Sequence, residues 1–321
     1  MAAVDSVLLC GFGGPTPGCC GRRAQCDKSC DGFEAECFVA KILGDDPAQA
    51  ARVEEVAAHY RHFGGYSPYN ERSEAQRQAL SAELTRRGHA LTVEVGYRNW
   101  LPWYSDGWQA LQGQGCARTV LAILAPHQGK RSWDDYIDEA TAARDALPQA
   151  PEIAGTAAPL FAAPGFIQAL VERVAEALAG SPVSSDDALL LTAHAIPQPA
   201  ERGLYRPQVE QTAALVSAAI AQALGITQWR LGFQSAPDSS RIPWSQPVVE
   251  DALADLQQAG AKRVVVLPIG FLVDHMEVLF DLDEELQQHA KTLGINMLRA
   301  RTVEDHPAYI AALAESIEAL L

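Results

Sequence analysis

Residues 263–285 read RVVVLPIGFLVDHMEVLFDLDEE. The first seven, Arg263–Ile269, form a continuous apolar, β-branched run, which predicts a strand covered on both faces. After Gly270 the character changes, and six acidic residues fall between Asp274 and Glu285. Other runs of the same kind are Val7–Phe12, Leu91–Tyr97, Thr119–Leu124, Ala188–Thr192 and Trp229–Phe233. Between them lie Ala-rich segments with helical spacing: Ala48–Tyr60, Glu71–Arg87, Ser132–Leu147, Pro164–Leu178, Pro207–Leu224, Val248–Ala259 and Pro307–Leu321. Buried strands alternating with helices predict parallel sheets built from βαβ units. The pattern restarts after the Pro/Ala-rich stretch Pro148–Pro164, so two doubly wound α/β domains are expected, 1–155 and 156–321.

Composition agrees with a folded chain. Of 321 residues 48% are hydrophobic and 20% charged, which excludes disorder. No apolar run approaches the ~20 residues of a membrane span. The N-terminus lacks a charged leader region, and a cytoplasmic location is expected. A formal charge of −15 makes nucleic acid and anionic membranes poor partners. The glycines Gly11, Gly13 and Gly14 do not make a dinucleotide fingerprint, because Pro15 and Thr16 break the G-x-G-x-x-G spacing.

In open α/β sheets chemistry sits beyond the carboxyl ends of strands. Three strands are followed there by histidines or carboxylates: His127 in LAPH, His194 in LTAHAIP, and Asp274 through Glu285. At helical spacing Asp274, Glu277, Asp281 and Glu285 fall on one stripe. Stacked carboxylates repel, a cost that binding a cation or passing protons would justify; a solvated acidic face is the alternative reading. His194 suits a base or a metal ligand, the alternative being a core histidine. His59 and His62, at a helix end before Gly64–Gly65, read as ordinary C-terminal basic groups. Five cysteines, Cys19, Cys20, Cys26, Cys30 and Cys37, lie within an insert spanning 18–38. They read as metal or cluster ligands, or as free thiols, rather than as disulfides in a reducing compartment.

Six strings, in this order, resemble the ferrochelatase family: HFGGYSPYNE (62–71), GYRNWLPW (96–103), LAPH (124–127), LTAHAIP (191–197), GFQSAPDSSRIPWSQP (232–247) and VLPIGFLVDHMEVLFDLDEE (266–285). The resemblance implies two Rossmann-like domains, parallel sheets flanked by helices, with an active-site cleft between them. It implies a lyase of haem biosynthesis that inserts Fe2+ into a porphyrin, coproporphyrin III or protoporphyrin IX, releasing two protons. His194 matches the family's active-site histidine and Glu277 its partner carboxylate, both metal-binding or proton-accepting. Asp274, Asp281 and Glu285 look like the acidic path leading away. Phe12, Tyr66, Trp100 and Phe271 are candidates for lining an apolar macrocycle cleft. Where family members carry an arginine-bearing helix for the propionates, this chain has its cysteine block, leaving Arg22, Arg23, Lys28 and Arg98 as possible replacements. Some ferrochelatases bind a [2Fe–2S] cluster; here the candidate ligands for a cluster or zinc would be Cys20, Cys26, Cys30 and Cys37. Transient contact with other haem-pathway enzymes is a further expectation. The competing readings are a Co2+ or Ni2+ tetrapyrrole chelatase and a non-catalytic tetrapyrrole or metal carrier.

Overall fold

A computed structural model describes residues 3–18, 33–237 and 241–321. Among these are eight strands in two four-stranded sheets, every neighbouring pair parallel. The first sheet has the order β2-β1-β3-β4, from β1 (Ser6–Gly11), β2 (Thr92–Tyr97), β3 (Arg118–Ile123) and β4 (Glu152–Thr156). The second has the order β6-β5-β7-β8, from β5 (Asp187–His194), β6 (Gln228–Gln234), β7 (Arg263–Pro268) and β8 (Asn296–Arg299). The chain divides into two compact units. One comprises Met1–Leu124, Asp134–Ala158 and Ile317–Leu321; the other comprises Ala125–Trp133 and Pro159–Ser316. The border therefore falls three residues beyond the expected 155/156, and two short segments are exchanged.

The central strands are those whose sequence is apolar at consecutive positions. β1 is buried throughout, and β5 is buried from Asp187 to Ala193. Residues on both faces of such strands leave water, worth about 1.5–3 kcal/mol for each large side chain. The sequence does not announce β4 and β8. β4 (EIAGT) sits in the Pro/Ala-rich stretch read as a boundary, and none of its residues is fully buried. β8 has only four residues. Both occupy sheet edges, where one side of the strand lacks the covering that produces a long apolar run.

In the second unit the helical segment after β7 buries Val278, Leu282, Leu286 and Ala290 against Val249, Leu253 and Leu256 and against Val264 and Val266 of β7. The buried positions recur every four residues. On a regular α-helix a stride of four drifts by about 40° per step. The segment instead widens into a π-helix over Leu279–Leu286, flanked by α-helical turns at Met276–Val278 and Gln287–Leu293. The wider turn keeps the stride of four on one side. The acidic residues Glu277, Asp281 and Glu285 share the same stride, one residue out of phase.

Gly270, two residues beyond the end of β7, lies close against the end of β5. A Cβ there would lie 2.9 Å from Cα of Ala193, closer than two carbons can approach without moving backbone. The absent side chain lets the turn after β7 lie against the end of β5.

Candidate active site

The strand ends of the second unit are in register: His194 of β5 pairs with Gln234 of β6, and Thr192 with Pro268 of β7. His194 is the last residue of β5, with its side chain 32% exposed. Its Nδ1 contacts the carbonyl oxygen of Ala195. A carbonyl only accepts, so Nδ1 carries the hydrogen, and in the neutral ring Nε2 presents its lone pair. That nitrogen lies 3.5 Å from Oε2 of Glu277, itself 40% exposed. Two acceptors facing one another at this range require something positive between them, either a proton or a cation.

The surroundings hold this pair. The Tyr205 hydroxyl, buried in the unit, donates to the main-chain oxygen of His194 at 3.1 Å. Phe271 meets the rings of His194 and His275 edge-on, with centroids 6.3 and 4.3 Å apart. His275 caps the helix, its Nδ1 accepting from the backbone N–H of Glu277 at 3.3 Å. Buried Gln234 is oriented by Thr192, whose hydroxyl donates to its Oε1 at 3.1 Å. Its Nε2 donates to the main-chain oxygen of Glu277 at 3.1 Å and to Oδ2 of Asp281 at 3.4 Å. Ser235 has φ 64°, the left-handed region that non-glycine residues seldom occupy; its hydroxyl donates to the same Asp281 oxygen. Asp281 sits one step behind Glu277. Burial, with the nearby Glu277 carboxylate adding to it and the Ser235 hydrogen bond opposing it, pushes its pKa up to about 7. Glu285, one step further along, is exposed. An imidazole, a carboxylate and a second carboxylate poised near neutrality thus run in sequence from the end of β5 outward.

Asp274 is not part of that row. The helix starts at Met276, and Asp274 precedes it, 1% exposed, in a buried ion pair with Arg299 at 2.6 Å. Its other oxygen accepts the N–H of Thr302 at 3.1 Å. Helical spacing placed it on the stripe because the sequence does not reveal where the helix begins.

The first-unit candidates also sort differently from expectation. Trp100 is 2% exposed, its indole N–H donating to Oγ1 of Thr16 at 2.9 Å and its ring edge-on to Phe38. It is a core residue, corrected from the cleft-lining expectation. Phe12 is half-buried against Phe38, and Tyr66 is half-buried. Arg98, 13% exposed, already pairs with Asp135 at 2.9 Å and Glu139 at 2.7 Å. A substrate carboxylate would have to compete with both, which weakens the expectation of a propionate contact there. His127, 1% exposed, is fixed in the second unit by Thr212; burial pulls its pKa down to about 3, leaving a neutral core residue. Cys20, Cys26, Cys30, Arg22, Arg23 and Lys28 fall outside the described residues, whereas Cys37 lies on the helix Glu34–Ile42.

Sequence reading passed over Gln234, Ser235, His275, Tyr205 and Arg299. Gln234 and Ser235 stand in the GFQS string directly after a strand, so the strand-end rule that found His194 would have found them had it been extended to amides and hydroxyls.

Among the described residues no group of three or more His, Cys, Asp or Glu side chains is arranged to hold a metal ion. His194 and Glu277 stand as an open pair with the carboxylates of Asp281 and Glu285 following along the helix, on a parallel α/β scaffold. A paired imidazole and carboxylate backed by further carboxylates is suited to handling a cation and protons together, the chemistry of a metal chelatase. The sequence profile of ferrochelatase matches residues 33–321, and the chain belongs to the ferrochelatase family. Its reaction is insertion of ferrous iron into a porphyrin, a lyase reaction of haem biosynthesis. It is 33% identical over 329 residues to a ferrochelatase of Rhodopirellula baltica, covering 98% of this chain and 85% of that protein. It is 35% identical over 303 residues to a coproporphyrin III ferrochelatase of Mycobacterium marinum, covering 93% and 82%. A coproporphyrin III ferrochelatase of Mycolicibacterium smegmatis is 33% identical over 324 residues, covering 99% and 90%. Among solved structures, SirB from Bacillus subtilis with Fe3+ shares the fold, at TM-score 0.53 and 14% identity over 76% of this chain and 89% of that one. Among the described residues no helix is long and apolar enough to cross a membrane.

Proposed function

We propose that this chain inserts Fe2+ into coproporphyrin III, with His194 and Glu277 as the groups that meet the metal and the departing protons. The observation that carries the reading is the 3.5 Å approach of His194 Nε2, turned toward the carboxylate because Nδ1 is engaged by the Ala195 carbonyl, to Glu277 Oε2. With metal–ligand bonds of about 2.1 Å, such a separation subtends roughly 110° at a shared cation, an unstrained angle. Two protein donors leave the remaining positions to water and then to the pyrrole nitrogens. The macrocycle loses two N–H protons as iron enters. Nε2 is the base positioned for one of them, and the Glu277–Asp281–Glu285 row gives protons a way out. One imidazole facing a carboxylate supports iron over the two-histidine sites that a Co2+ or Ni2+ chelatase would favour. The proton-accepting row supports an enzyme over a carrier, which has no protons to remove.

Coproporphyrin III as substrate is supported by the names of the mycobacterial relatives. Anaerobic Fe2+ insertion followed by absorbance, with coproporphyrin III and protoporphyrin IX side by side, tests it. A kcat/KM at least about tenfold higher for coproporphyrin III is expected, corresponding to about 1.4 kcal/mol in the transition state. Equal or reversed preference overturns the substrate assignment, and tight binding of both without insertion favours the carrier.

Two finer readings accompany this one. The cysteine segment is proposed to hold a [2Fe–2S] cluster or zinc through Cys20, Cys26, Cys30 and Cys37, supported by the clustering of these cysteines in one short segment, whose spacing follows no familiar zinc-ribbon or ferredoxin pattern. Anaerobically purified protein is expected to carry about two iron and two sulfide, or one zinc, per chain, with the metal lost in Cys26→Ala. Metal-free protein of full activity overturns it. A cytoplasmic location is proposed as well, a reading that the free thiols of Cys10 and Cys116 support, together with transient contact with other haem-pathway enzymes.

A further inference from the structure

The π-helix is fastened at both edges of its sheet. In the order β6-β5-β7-β8, β6 and β8 are the outer strands. At the β6 edge, Gln234 and Ser235 hold Asp281. At the β8 edge the last strand residue, Arg299, holds Asp283, two positions on and so on the far side of the helix. The guanidinium grips Asp283 through two bonds, Nε to Oδ1 at 2.7 Å and Nη2 to Oδ2 at 2.9 Å. It also donates through Nη1 to Oδ2 of Asp274 at 2.6 Å, in the turn that precedes the helix.

We infer that Arg299 is a positioning residue for iron insertion, clamping the turn and the π-helix so that Glu277 and Asp281 keep their places opposite His194. The physical argument has three parts. A π-helix is a rare arrangement, and its i→i+5 pairing competes with the ordinary α register. Something outside the helix must therefore favour the wide turn, and a planar fork that binds one carboxylate bidentately and a second at its tip fixes both distance and rotation. Finally, Asp274 and Asp283 bracket Glu277 and Asp281 in sequence, so releasing the bracket frees the segment that carries both. The three residues between Glu277 and Asp281 then keep the phase that points both carboxylates toward β5 and β6 only through the core packing of Val278 and Leu282 and the bonds from Gln234 and Ser235, which leave the β8 side of the helix unfastened. This inference rests on the iron-insertion reading, and it adds a residue that touches neither iron nor macrocycle.

The test compares wild-type enzyme with Arg299→Lys, Arg299→Met and Asp283→Asn. It reads kcat and KM for Fe2+, porphyrin affinity by absorbance titration, and the folded fraction by circular dichroism. For Arg299→Met, kcat/KM for iron is expected to fall by about tenfold to a hundredfold, the loss typical of a misplaced reacting group. Porphyrin affinity stays within about twofold. Arg299→Lys keeps the charge and reaches one carboxylate but cannot span both, so an intermediate loss is expected. If Arg299→Met does not fold, Asp283→Asn carries the test, since it leaves the Asp274 pair in place and loosens only the helix. Iron parameters per folded molecule that match wild type in every folded variant overturn the inference and leave Arg299 a purely structural residue. Absence of insertion by wild-type enzyme would instead overturn the reading on which it rests.

Discussion

His194→Ala is expected to lower kcat for iron insertion by about 10²–10⁴-fold, the range associated with losing a positioned general base. The loss should fall on kcat more than on porphyrin affinity, because removing a proton acceptor affects the reaction rather than the apolar contacts that hold a macrocycle. The fold should survive. The ring is 32% exposed, and Nδ1 bonds only to the carbonyl of the adjacent residue. Alanine loses the edge contact with Phe271 and the approach to Glu277 but preserves the Tyr205 hydrogen bond to the main-chain oxygen. A stability change within about 1 kcal/mol is therefore expected, as for other partly exposed positions. Single-turnover insertion at fixed porphyrin, with the thermal midpoint recorded alongside, separates the two effects. Added imidazole should restore part of the rate, since it supplies the missing lone pair to a site that is open. A variant that inserts iron at the wild-type rate would remove His194 from the chemistry and shift the burden to Glu277.

What the sequence revealed and what it hid divide along a physical line. The inner strands were legible because burial on both faces leaves a continuous apolar run, as in Asp187–His194 and Arg263–Pro268. The edge strands Glu152–Thr156 and Asn296–Arg299 lack that pressure and look like loop. The approach of His194 to Glu277 was legible because open parallel sheets gather side chains beyond their strand ends, a rule that needs only the strand to be right. Asp274 and Trp100 were misplaced for a different reason. Burial of a carboxylate against Arg299, or of an indole against Phe38, depends on partners distant in the sequence. The π-helix left a trace in the stride of four shared by Val278, Leu282, Leu286 and Ala290. At a period of 3.6 that pattern reads as a slightly irregular α-helix, and only the packed core shows that the stride is kept.

Asp281→Asn is expected to make the protein more stable at pH 8 and slower at insertion. The direction follows from the proton count. An unfolded Asp titrates near 3.9, whereas burial holds this one at about 7 in the native state. Between those values the folded protein binds more proton than the unfolded chain, so the Asp281 contribution to stability is fully present below about pH 4 and is lost as pH rises through about 7. Three pH units correspond to about 4 kcal/mol at the ceiling. Because the side chain is only half-buried, about 1–3 kcal/mol is the realistic range. Asparagine has the same shape, can still accept from Ser235 and has no charge to bury. Its unfolding free energy should therefore exceed wild type at pH 8 and converge with it near pH 4, which urea titrations at the two pH values measure directly. The rate should move the opposite way. A carboxyl near pH 7 can receive a proton from Glu277 only when ionised, so wild-type kcat is expected to rise across neutrality, and Asp281→Asn should lose that rise along with about tenfold in rate. Such a pairing, stability gained where activity is lost, is what a group kept for its proton traffic rather than for its packing produces. A variant with wild-type rate and an unchanged pH profile would take Asp281 out of the proton path, and wild-type stability at pH 8 would show that its carboxyl is not under strain there.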